Sequence, residues 1–367
     1  MESEVPPIRP KTVRYIHNGS TLLSHISYSP FSFQLMIPGT IIIVTYNSRE
    51  QVEKCLTPIL SLIHENIPVI VVDNASEDRT AEIVRDKFPQ VKVLAQNFNL
   101  GFSGGVNKGA EEIQGEWLLI LNPDVIISAR AVRGLVQYLI DHPQVGCVGP
   151  QIRDLQGHYV ASVYPFYTPC YAVLEAIGLG WWVRWRYWRR ISRKVRSEHK
   201  PQLRVDRLLG AILMVRRSCW EELKGFDNRF FLYAEEEDFC YRLYQKGWEV
   251  HYLPSVEAIH IGGASAKENL PLVTASVNWS RYLWIEKQFG RGASEIIRWI
   301  WILGLAVRLG LYSGWFLLFG IVPILRREEQ VSKVRWKGYW WAIRSLIKPG
   351  YFELYLRPGT KNLSKSK

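Results

Sequence analysis

The fold is decided by the stretch TIIIVTYNS at residues 40–48, in which a short run of mostly β-branched side chains gives way to polar ones. Such a run is typical of a buried parallel strand. A helix is expected next, because Ser48 and Gln51 have the spacing of a capping box and apolar residues from Val52 to Ile63 recur at helical intervals. Pro58 is expected to kink that helix.

The same alternation of strand and helix repeats along the chain to residue 141. Strands are predicted at 69–72, 91–95 and 117–121, and helices at 79–88, 103–113 and 129–141. Strands separated by helices of this length are typical of an α/β fold with a mostly parallel sheet and helices on both faces. Ligands of such sheets bind at the carboxyl ends of the strands, so the loops after the strands are candidates for a site.

Polar residues gather in the loops that follow four of these strands. Each loop taken alone is also explained as a helix cap or a turn, because Asn, Asp and Ser are the usual residues there. Four such loops in register indicate a shared site. They are Thr45-Tyr46-Asn47, Asp73-Asn74-Ala75-Ser76, Asn97-Phe98-Asn99 and Asn122-Pro123-Asp124.

In their order and spacing, these motifs resemble the nucleotide-sugar half of the inverting glycosyltransferases of family 2, which have the GT-A fold. The resemblance rests on TIIIVTYNS together with VIVVDNASEDRT (69–80), NFNLGFSGGVNKGA (97–110) and LLILNPDV (118–125). Within that family, the sequence resembles in particular the bacterial rhamnosyltransferase-like branch, which builds cell-surface polysaccharides. The resemblance covers roughly residues 39–290 and implies transfer of a sugar from a nucleoside diphosphate.

The resemblance also implies which residues bind the donor. Asp73 would recognise the pyrimidine base and Asn122 the ribose or phosphate. The glycine-rich stretch at 101–109 would let the backbone approach the donor closely, as glycine allows. The full set of expected donor-binding residues is Thr45, Tyr46, Asn47, Asp73, Asn74, Asn97, Gly101, Gly105, Asn107 and Asn122.

A divalent cation, Mg²⁺ or Mn²⁺, is the cofactor that the family implies, because it stabilises the departing diphosphate. The family holds it on an acidic motif whose usual first acid is replaced here by Asn122, so Asp124 is the expected ligand. One carboxylate, substrate oxygens and waters suit Mg²⁺. His260 matches a family histidine near the metal or diphosphate, although a lone histidine is more often structural.

The second half of the chain is expected to supply the acceptor side. The stretch VDRLLGAILMVRR (205–217) predicts a strand that enters the site at Leu209, Gly210 and Ala211, where the family places acceptor contacts. The later stretch GFDNRFFLYAEEEDFCYRLYQKGW (225–248) resembles the part of the family that carries an aspartate, which removes the proton from the acceptor hydroxyl. In the family this aspartate belongs to an ED pair, which falls here on Glu235 and Glu236.

Glu236 is therefore the expected base, with Asp238 as a second candidate. Glu235 is assigned to the acceptor side, and Glu237 is expected to be solvated. The run of four acids from Glu235 to Asp238 is also explained as a negatively charged helix N-terminus.

The positive charge of the chain lies outside the catalytic pattern. The net charge is +12 among 367 residues, and 181–207 and 326–367 each carry +8. Twelve of the 15 Trp lie in 181–188 or 279–341. Interleaved Trp and Arg suit single-stranded nucleic acid or a membrane interface. We favour an anionic membrane surface and expect no nucleic acid as a partner.

The apolar segment 296–325 has only Arg298 and Arg308 as charges. A single span would export the basic residues 326–367, against the positive-inside tendency. We therefore expect helices that lie in the interface or re-enter it, with a buried core pair as the alternative. The predicted organisation is an extension at 1–38, a GT-A domain at 39–290 with the basic aromatic insertion at 181–207, and a membrane-associating helical region at 291–367.

Function and location follow as hypotheses. We expect transfer of rhamnose or a similar sugar to a lipid-linked or cell-surface polysaccharide acceptor, at the cytoplasmic face of the cell membrane. UDP-galactofuranose or UDP-N-acetylhexosamine remain alternative donors, and a non-catalytic membrane-associated or RNA-binding scaffold is the alternative class. The N-terminus does not have the pattern of a secretory signal. Five scattered Cys indicate neither a disulfide framework nor a zinc site.

Overall fold

The central sheet has ten strands and holds the apolar runs that the sequence predicts as strands. The computed structural model describes residues 37–197, 202–262 and 270–319, and positions 340, 343, 344, 346 and 347. The strands are β1 Thr40–Thr45, β2 Val69–Asp73, β3 Lys92–Ala95, β4 Trp117–Leu121, β5 Val125–Ile126, β6 Val145–Arg153, β7 Tyr159–Val160, β8 Val163–Tyr164, β9 Leu203–Arg204, β10 Arg207–Leu208, β11 Ile212–Arg216 and β12 Glu249–His260, of which β8 and β10 form a separate pair.

The strand order brings the ends of several distant strands to one edge. The order is β3-β2-β1-β4-β11-β6-β12-β5, and β1 to β4 are parallel. The strand β11 runs antiparallel to both β4 and β6, so β6 and its parallel neighbour β12 point the same way as β4. The carboxyl ends of β1, β2, β4 and β12 therefore share one edge. The mainly parallel sheet expected from the sequence is confirmed.

Helices cover both faces of the sheet, as the fully buried strands require. One face carries α1, α2, α3 and α5, and the other carries α4, α8 and α9. The helices are α1 Arg49–Leu56, α2 Leu60–Ile63, α3 Thr80–Lys87, α4 Gly101–Ala110, α5 Ala129–Asp141, α6 Pro169–Ala176, α7 Gly180–Ser197, α8 Arg217–Glu222, α9 Glu235–Gln245, α10 Leu270–Phe289 and α11 Arg291–Phe319.

The capping box predicted at Ser48 is wrong. The Ser48 side chain makes no capping hydrogen bond; its hydroxyl donates to Tyr46 O at 3.2 Å instead. The hydroxyl is bound back into the loop after β1, which takes it away from the helix. At Pro58, where a kink is predicted, the helix is interrupted by a 3₁₀ turn, Thr57–Ile59, between α1 and α2.

The helices α6, α10 and α11 form a third hydrophobic cluster beside the sheet domain. It joins Trp284 and Ile285 of α10 to Ile297 and Trp301 of α11, so the boundary predicted at residue 290 falls inside one cluster. No helix within the described residues is both long and apolar enough to cross a membrane. The predictions for 1–36 and 320–325, and for most of 326–367, lie outside the described residues.

All five cysteines are free, and Cys170 alone among them is exposed.

Candidate active site

The carboxylate of Asp73 ends β2 and is fixed by three hydrogen bonds. It accepts from the Thr45 hydroxyl at 2.9 Å, from the Ser76 hydroxyl at 2.6 Å and from the Ser76 backbone N–H at 3.0 Å. Asp73 is buried and pairs with Thr45 across the parallel ladder. Because a buried carboxylate is costly without donors, these bonds hold it in one orientation at the strand edge.

The loops after β1 and β2 are tied to each other. The Asn47 N–H donates to the Ser76 hydroxyl at 2.9 Å, and Asn47 Oδ1 accepts from Glu77 N at 2.8 Å. Asn47 and Ala75 have left-handed backbones with φ of 49° and 61°. That conformation is uncommon for residues other than glycine and clusters at binding sites. Tyr46 is the first residue after β1, and its side chain is partly exposed.

The glycines of α4 pack that helix against the sheet. A Cβ at Gly105 would lie 2.6 Å from Val44 Cγ1, and one at Gly109 would lie 2.7 Å from Ile42 Cγ2. These two glycines therefore allow a close contact between helix and strand. For Gly105 the structure gives a packing reason in place of the approach to donor that the sequence suggested.

The start of α4 is joined to the loop that precedes α9. Gly101 has φ of +74°, and a Cβ there would lie 2.3 Å from Phe231 O. Phe102 N donates to the same carbonyl at 2.7 Å. Asn74 Nδ2 donates to Gly101 O at 2.9 Å, whereas the buried Asn74 Oδ1 has no hydrogen-bond partner among the described residues. That oxygen is a candidate acceptor for a ligand.

Asn107 and Asn97, two of the expected donor-binding residues, have no contact with the Asp73 loop among the hydrogen bonds of the described residues. Asn107 Nδ2 donates to Phe226 O at 2.8 Å and to Asn228 Oδ1 at 2.6 Å. Its Oδ1 accepts from Phe226 N at 3.0 Å. The Asn107 amide is thus committed to the 226–228 loop, because its oxygen and its nitrogen both have partners there. Asn97 is exposed in the loop before α4.

Asp124 and His260 come together at the same edge of the sheet. The strand β5 begins directly after Asp124 and pairs with the end of β12, Val125 opposite His260. Ile261 N also donates to Asp124 O at 2.9 Å. As a result, His260 Nε2 lies 3.2 Å from Asp124 Oδ1, and both side chains are 17% exposed. Within the described residues, no cluster of three or more His, Cys, Asp and Glu forms a ready metal site.

A short path of contacts links this pair to the acids of α9. Asn122 N, two residues before Asp124, donates to Ala211 O at 2.9 Å. The neighbouring Gly210 lies against Glu236, since a Cβ at Gly210 would be 3.4 Å from Glu236 Cβ and Cγ. The predicted strand 205–217 is interrupted at this point, and β10 and β11 flank the segment 209–211. The segment therefore lies between Asn122 and Glu236, held by the bond from Asn122 N to Ala211 O.

The four acids that begin α9 are all buried, between 0% and 7% exposed. The prediction that Glu237 is solvated is wrong, because its Oε1 accepts from Tyr167 N inside the protein. The two residues before the helix, Tyr233 and Ala234, have left-handed backbones with φ of 70° and 65°. Backbone strain of this kind persists only where the surrounding structure enforces it, and such residues cluster at functional sites.

Arg207 is a cation that faces two of these acids, Glu236 and Glu237. Its Nη1 donates to Glu236 Oε1 at 2.7 Å, and its Nε lies 3.5 Å from Glu237 Oε2. The guanidinium stacks 4.9 Å from the centre of the Tyr164 ring. Sequence reasoning missed Arg207 because it counted the residue within the basic segment 181–207. Its position three residues before Gly210, in the stretch assigned to the acceptor side, was the available signal.

Asp238 lies apart from this arrangement. It is fully buried, its Oδ2 accepts from Arg242 Nε at 2.7 Å, and its Oδ1 forms an ion pair with Lys287 Nζ at 2.6 Å. Both oxygens thus face cations, one from Arg242 of α9 itself and one from Lys287, which ties α9 to α10. This placement favours a structural role for Asp238 and leaves Glu236 as the carboxylate against Gly210.

Burial changes the protonation of the neighbouring acids. Desolvation and the charge of Glu236 raise the pKa of Glu235 well above its usual range. Desolvation raises the pKa of Glu237 to about 7, although Arg207 opposes it. For Arg207, burial lowers the pKa, but Glu237 and Glu236 outweigh it and raise the pKa above its ordinary value. Glu235 and Glu237 therefore hold protons more tightly than exposed glutamates do, while Arg207 stays charged.

Comparison with known families decides the class of this protein. The sequence profile described as glycosyl transferase family 2 matches residues 40–218. The protein carries a glycosyltransferase family 2 domain. A second profile, described as the N-terminal domain of galactosyltransferase, matches residues 190–262 of the glycosyltransferase, which include the acids of α9.

Two curated relatives and one solved structure are similar to the glycosyltransferase. It is 28% identical to the N-acetylglucosaminyl-diphospho-decaprenol L-rhamnosyltransferase of Mycobacterium tuberculosis, over 73% of this chain and 90% of that one. It is also 28% identical to a low-salt glycan biosynthesis hexosyltransferase of Haloferax volcanii, over 60% and 66%. The fold matches a mannosyltransferase from Pyrobaculum calidifontis with GDP-mannose and Mn²⁺, with a TM-score of 0.51, 16% identity, and 84% and 87% coverage. The GT-A fold expected from the sequence is confirmed.

Proposed function

We propose that this glycosyltransferase is an inverting enzyme that transfers a sugar, rhamnose or a similar one, from a nucleoside diphosphate to a lipid-linked acceptor. The observation that carries the proposal is the meeting of three groups at one edge of the sheet. Asp73 lies at the end of β2, the Asp124–His260 pair lies beside the ends of β4 and β12, and Glu236 lies against the 209–211 segment. In this assignment Asp73 binds the nucleoside of the donor, the Asp124–His260 pair faces its diphosphate, and Glu236 faces the attacking hydroxyl of the acceptor.

The donor nucleoside is assigned to the ends of β1 and β2. Asp73 offers a fixed carboxylate to the N–H of a pyrimidine base, and Tyr46 offers a partly exposed ring at the rim. Thr45 and Asn47 support this site, because their side chains hold Asp73 and the next loop in place. Asn74 and Asn122 complete the pocket toward the sugar and the diphosphate.

Asp124 and His260 fit a divalent cation as its two protein ligands. A carboxylate oxygen and an imidazole nitrogen lie 3.2 Å apart at the strand edge, and both side chains retain some exposure. The remaining ligands would be oxygens of the donor diphosphate and water, which suits Mg²⁺ or Mn²⁺. When bound, the cation would neutralise the charge that develops on the leaving diphosphate.

Glu236 is assigned as the general base. Arg207 fixes Oε1 of this carboxylate, so Oε2 is the oxygen that takes the proton from the acceptor hydroxyl. The acceptor oxygen forms its bond to the anomeric carbon while the bond from that carbon to the diphosphate breaks on the opposite face. Gly210, which lies against Glu236, borders the space for the acceptor, and Ala211 and Glu235 are assigned to the same side.

The lipid-linked acceptor is supported by the relative from Mycobacterium tuberculosis, whose name specifies a decaprenol diphosphate. An acceptor of this kind would place the enzyme at the cytoplasmic face of a membrane. The basic and Trp-rich character of α7 agrees with that location.

A thermal-shift experiment tests the donor assignment. The purified full chain is heated with dTDP-rhamnose, UDP-N-acetylglucosamine or GDP-mannose, each with and without Mn²⁺. We expect one nucleotide sugar to raise Tm only when the metal is present, since a ligand stabilises the state it binds. Asp73→Asn should remove the shift and the exposed Asp141→Asn should keep it. No shift with any nucleotide sugar, or an equal shift in Asp73→Asn, would overturn the assignment.

A further inference from the structure

An apolar stripe runs along the exposed face of α11. Ile296, Trp299, Leu303 and Val307 are each between 54% and 67% exposed. Their spacing of three and four residues places them on one side of the helix. The opposite side packs into the third hydrophobic cluster through residues such as Trp301. A helix with both faces apolar but only one covered presents an interaction surface.

A second exposed apolar set lies where α6 passes into α7. Its side chains are between 42% and 63% exposed, and three of them are tryptophans. Large aromatic rings are rarely left in water without a function. The set consists of Ile177, Leu179, Trp181, Trp182 and Trp185.

The two sets are neighbours. Arg308, directly after Val307 in α11, donates from Nη2 to Glu175 O at 2.5 Å and to Ala176 O at 2.8 Å. A Cβ at Gly304 would lie 2.6 Å from Ala176 O, so α11 touches the backbone at the end of α6. Ile177, the first residue of the exposed set at the α6–α7 corner, directly follows Ala176 in the chain. The stripe on α11 and the set at the α6–α7 corner therefore adjoin along this contact.

The charge beside this surface is positive. The helix α7 contains seven Lys and Arg and no acid. The guanidinium of Arg186 lies 4.8 Å from the centre of the Trp182 ring, and that of Arg189 lies 5.1 Å from the centre of the Trp185 ring. Aromatic rings at headgroup depth with cations among them are typical of proteins that lie on anionic bilayers.

We propose that the α11 stripe and the α6–α7 corner together form a docking surface for an anionic bilayer. We call this the lipid-docking surface. The proposal rests on the proposed function, because it identifies the face that meets the membrane holding the acceptor. The three aliphatic side chains of the α11 stripe, Ile296, Leu303 and Val307, favour lipid over nucleic acid, since single strands stack on aromatic rings and pair with cations but gain little from aliphatic side chains.

The lipid-docking surface lies one short helix away from the proposed base. The segment just before α6 holds the acids of α9, because Tyr167 N donates to Glu237 and Pro165 O accepts from Arg207 Nε at 3.4 Å. The eight residues of α6 span about 12 Å at the usual rise per residue. A sugar linked through a diphosphate to a lipid in the bilayer is thus delivered near Glu236.

Vesicle co-sedimentation of the full chain tests the docking surface. The probes are vesicles of equal amounts of phosphatidylglycerol and phosphatidylcholine, and vesicles of phosphatidylcholine alone. We expect wild type to bind the anionic vesicles more tightly. The double variant Ile296→Glu and Leu303→Glu should bind them at least about tenfold more weakly, because two charges would enter the apolar layer. The matched control is Ile140→Glu on α5, another exposed helical isoleucine on the far face of the sheet.

The arginines are tested separately. Arg186→Gln and Arg189→Gln should each weaken binding to the anionic vesicles by about fivefold and leave binding to phosphatidylcholine unchanged. The proposal would be overturned if the double glutamate variant, with an unchanged Tm, bound anionic vesicles as tightly as wild type. It would also be overturned if Ile140→Glu lost as much vesicle binding as the double variant, or if wild type bound single-stranded RNA but no vesicle. Transfer to a short water-soluble acceptor without vesicles is measured in parallel, so that failure of docking and failure of the proposed function are distinguished.

Discussion

The Arg207 guanidinium binds Glu236 Oε1 at 2.7 Å and also lies 3.5 Å from Glu237 Oε2, so one cation serves two buried carboxylates. Breaking a buried charged pair leaves its partners uncompensated. Arg207 is thus a positioning residue for Glu236, acting through the bond that orients the carboxylate. Its own anchors are the Tyr164 ring and the Pro165 carbonyl.

Replacement of Arg207 should slow catalysis more than it weakens donor binding. In Arg207→Gln we expect kcat to fall by about 10- to 100-fold, as for the loss of one charged hydrogen bond, with little change in KM for the nucleotide sugar. Steady-state kinetics give both numbers. The control is Arg204→Gln, because the ion pair of Arg204 with Glu249 is more exposed to solvent than that of Arg207 with Glu236. A rise in KM without a fall in kcat would contradict the positioning role.

The two candidate bases should separate by kinetics and stability. Glu236→Gln should lower kcat by about 10²- to 10⁴-fold, because the carboxylate that accepts the proton is gone. Asp238→Asn should instead lower the free energy of unfolding by about 1–3 kcal/mol, since Arg242 and Lys287 lose their buried partner but remain partly exposed. Turnover per folded molecule and urea unfolding are measured for both. Wild-type turnover in Glu236→Gln would remove it as the base.

The stability of the protein should depend on the protonation of Glu237. Its pKa is raised to about 7 in the folded state from 4.5, so between these values the folded protein binds more protons than the unfolded chain. The free energy of unfolding should therefore fall as pH rises from about 5 to 7, and then level off. The substitution Glu237→Gln removes this titration.

Relative to wild type, Glu237→Gln should gain about 2–3 kcal/mol in the free energy of unfolding between pH 5 and pH 8. Urea unfolding at the two pH values measures the difference. An identical pH dependence in the two proteins would show that Glu237 titrates normally.

Metal dependence should follow Asp124 and His260. We expect EDTA to abolish transfer and Mn²⁺ or Mg²⁺ to restore it. Asp124→Asn should raise the metal concentration for half-maximal activity by more than about tenfold, and His260→Gln should raise it as well. His158→Gln is the matched control, because its imidazole also lies 3.2 Å from a carboxylate, that of Asp154, but at an exposed turn. Unchanged metal dependence in Asp124→Asn would contradict the assignment.

The meeting of the strand-end residues at one edge was predictable from sequence, because parallel strands carry the loops that follow them to the same edge of the sheet. Asp73 and Asp124 follow apolar runs that the sequence marks plainly, and strand order then brings His260 beside Asp124. The contacts that depend on side-chain packing were not predictable. Arg207 and Glu237 look like surface charges in the sequence. They form an ion pair because α9 is buried against β10, and the Tyr167 backbone N–H donates to Glu237 in the same place.

The same limit explains the glycines of α4. A glycine-rich loop in the sequence suggests close approach of a ligand, but Gly105 lies against Val44. Asn107 likewise holds the 226–228 loop through both ends of its amide. Sequence spacing shows that a side chain is small or polar, whereas the partner across the fold decides which role it has.

The anomeric configuration of the transferred sugar tests the central claim most directly. The purified enzyme is incubated with its nucleotide sugar, metal and a polyprenyl diphosphate-linked acceptor, and the new linkage is analysed by NMR. Attack by a hydroxyl activated by Glu236, on the face opposite the diphosphate, predicts a product with the configuration inverted relative to the donor. A product that retains the donor configuration would contradict the account.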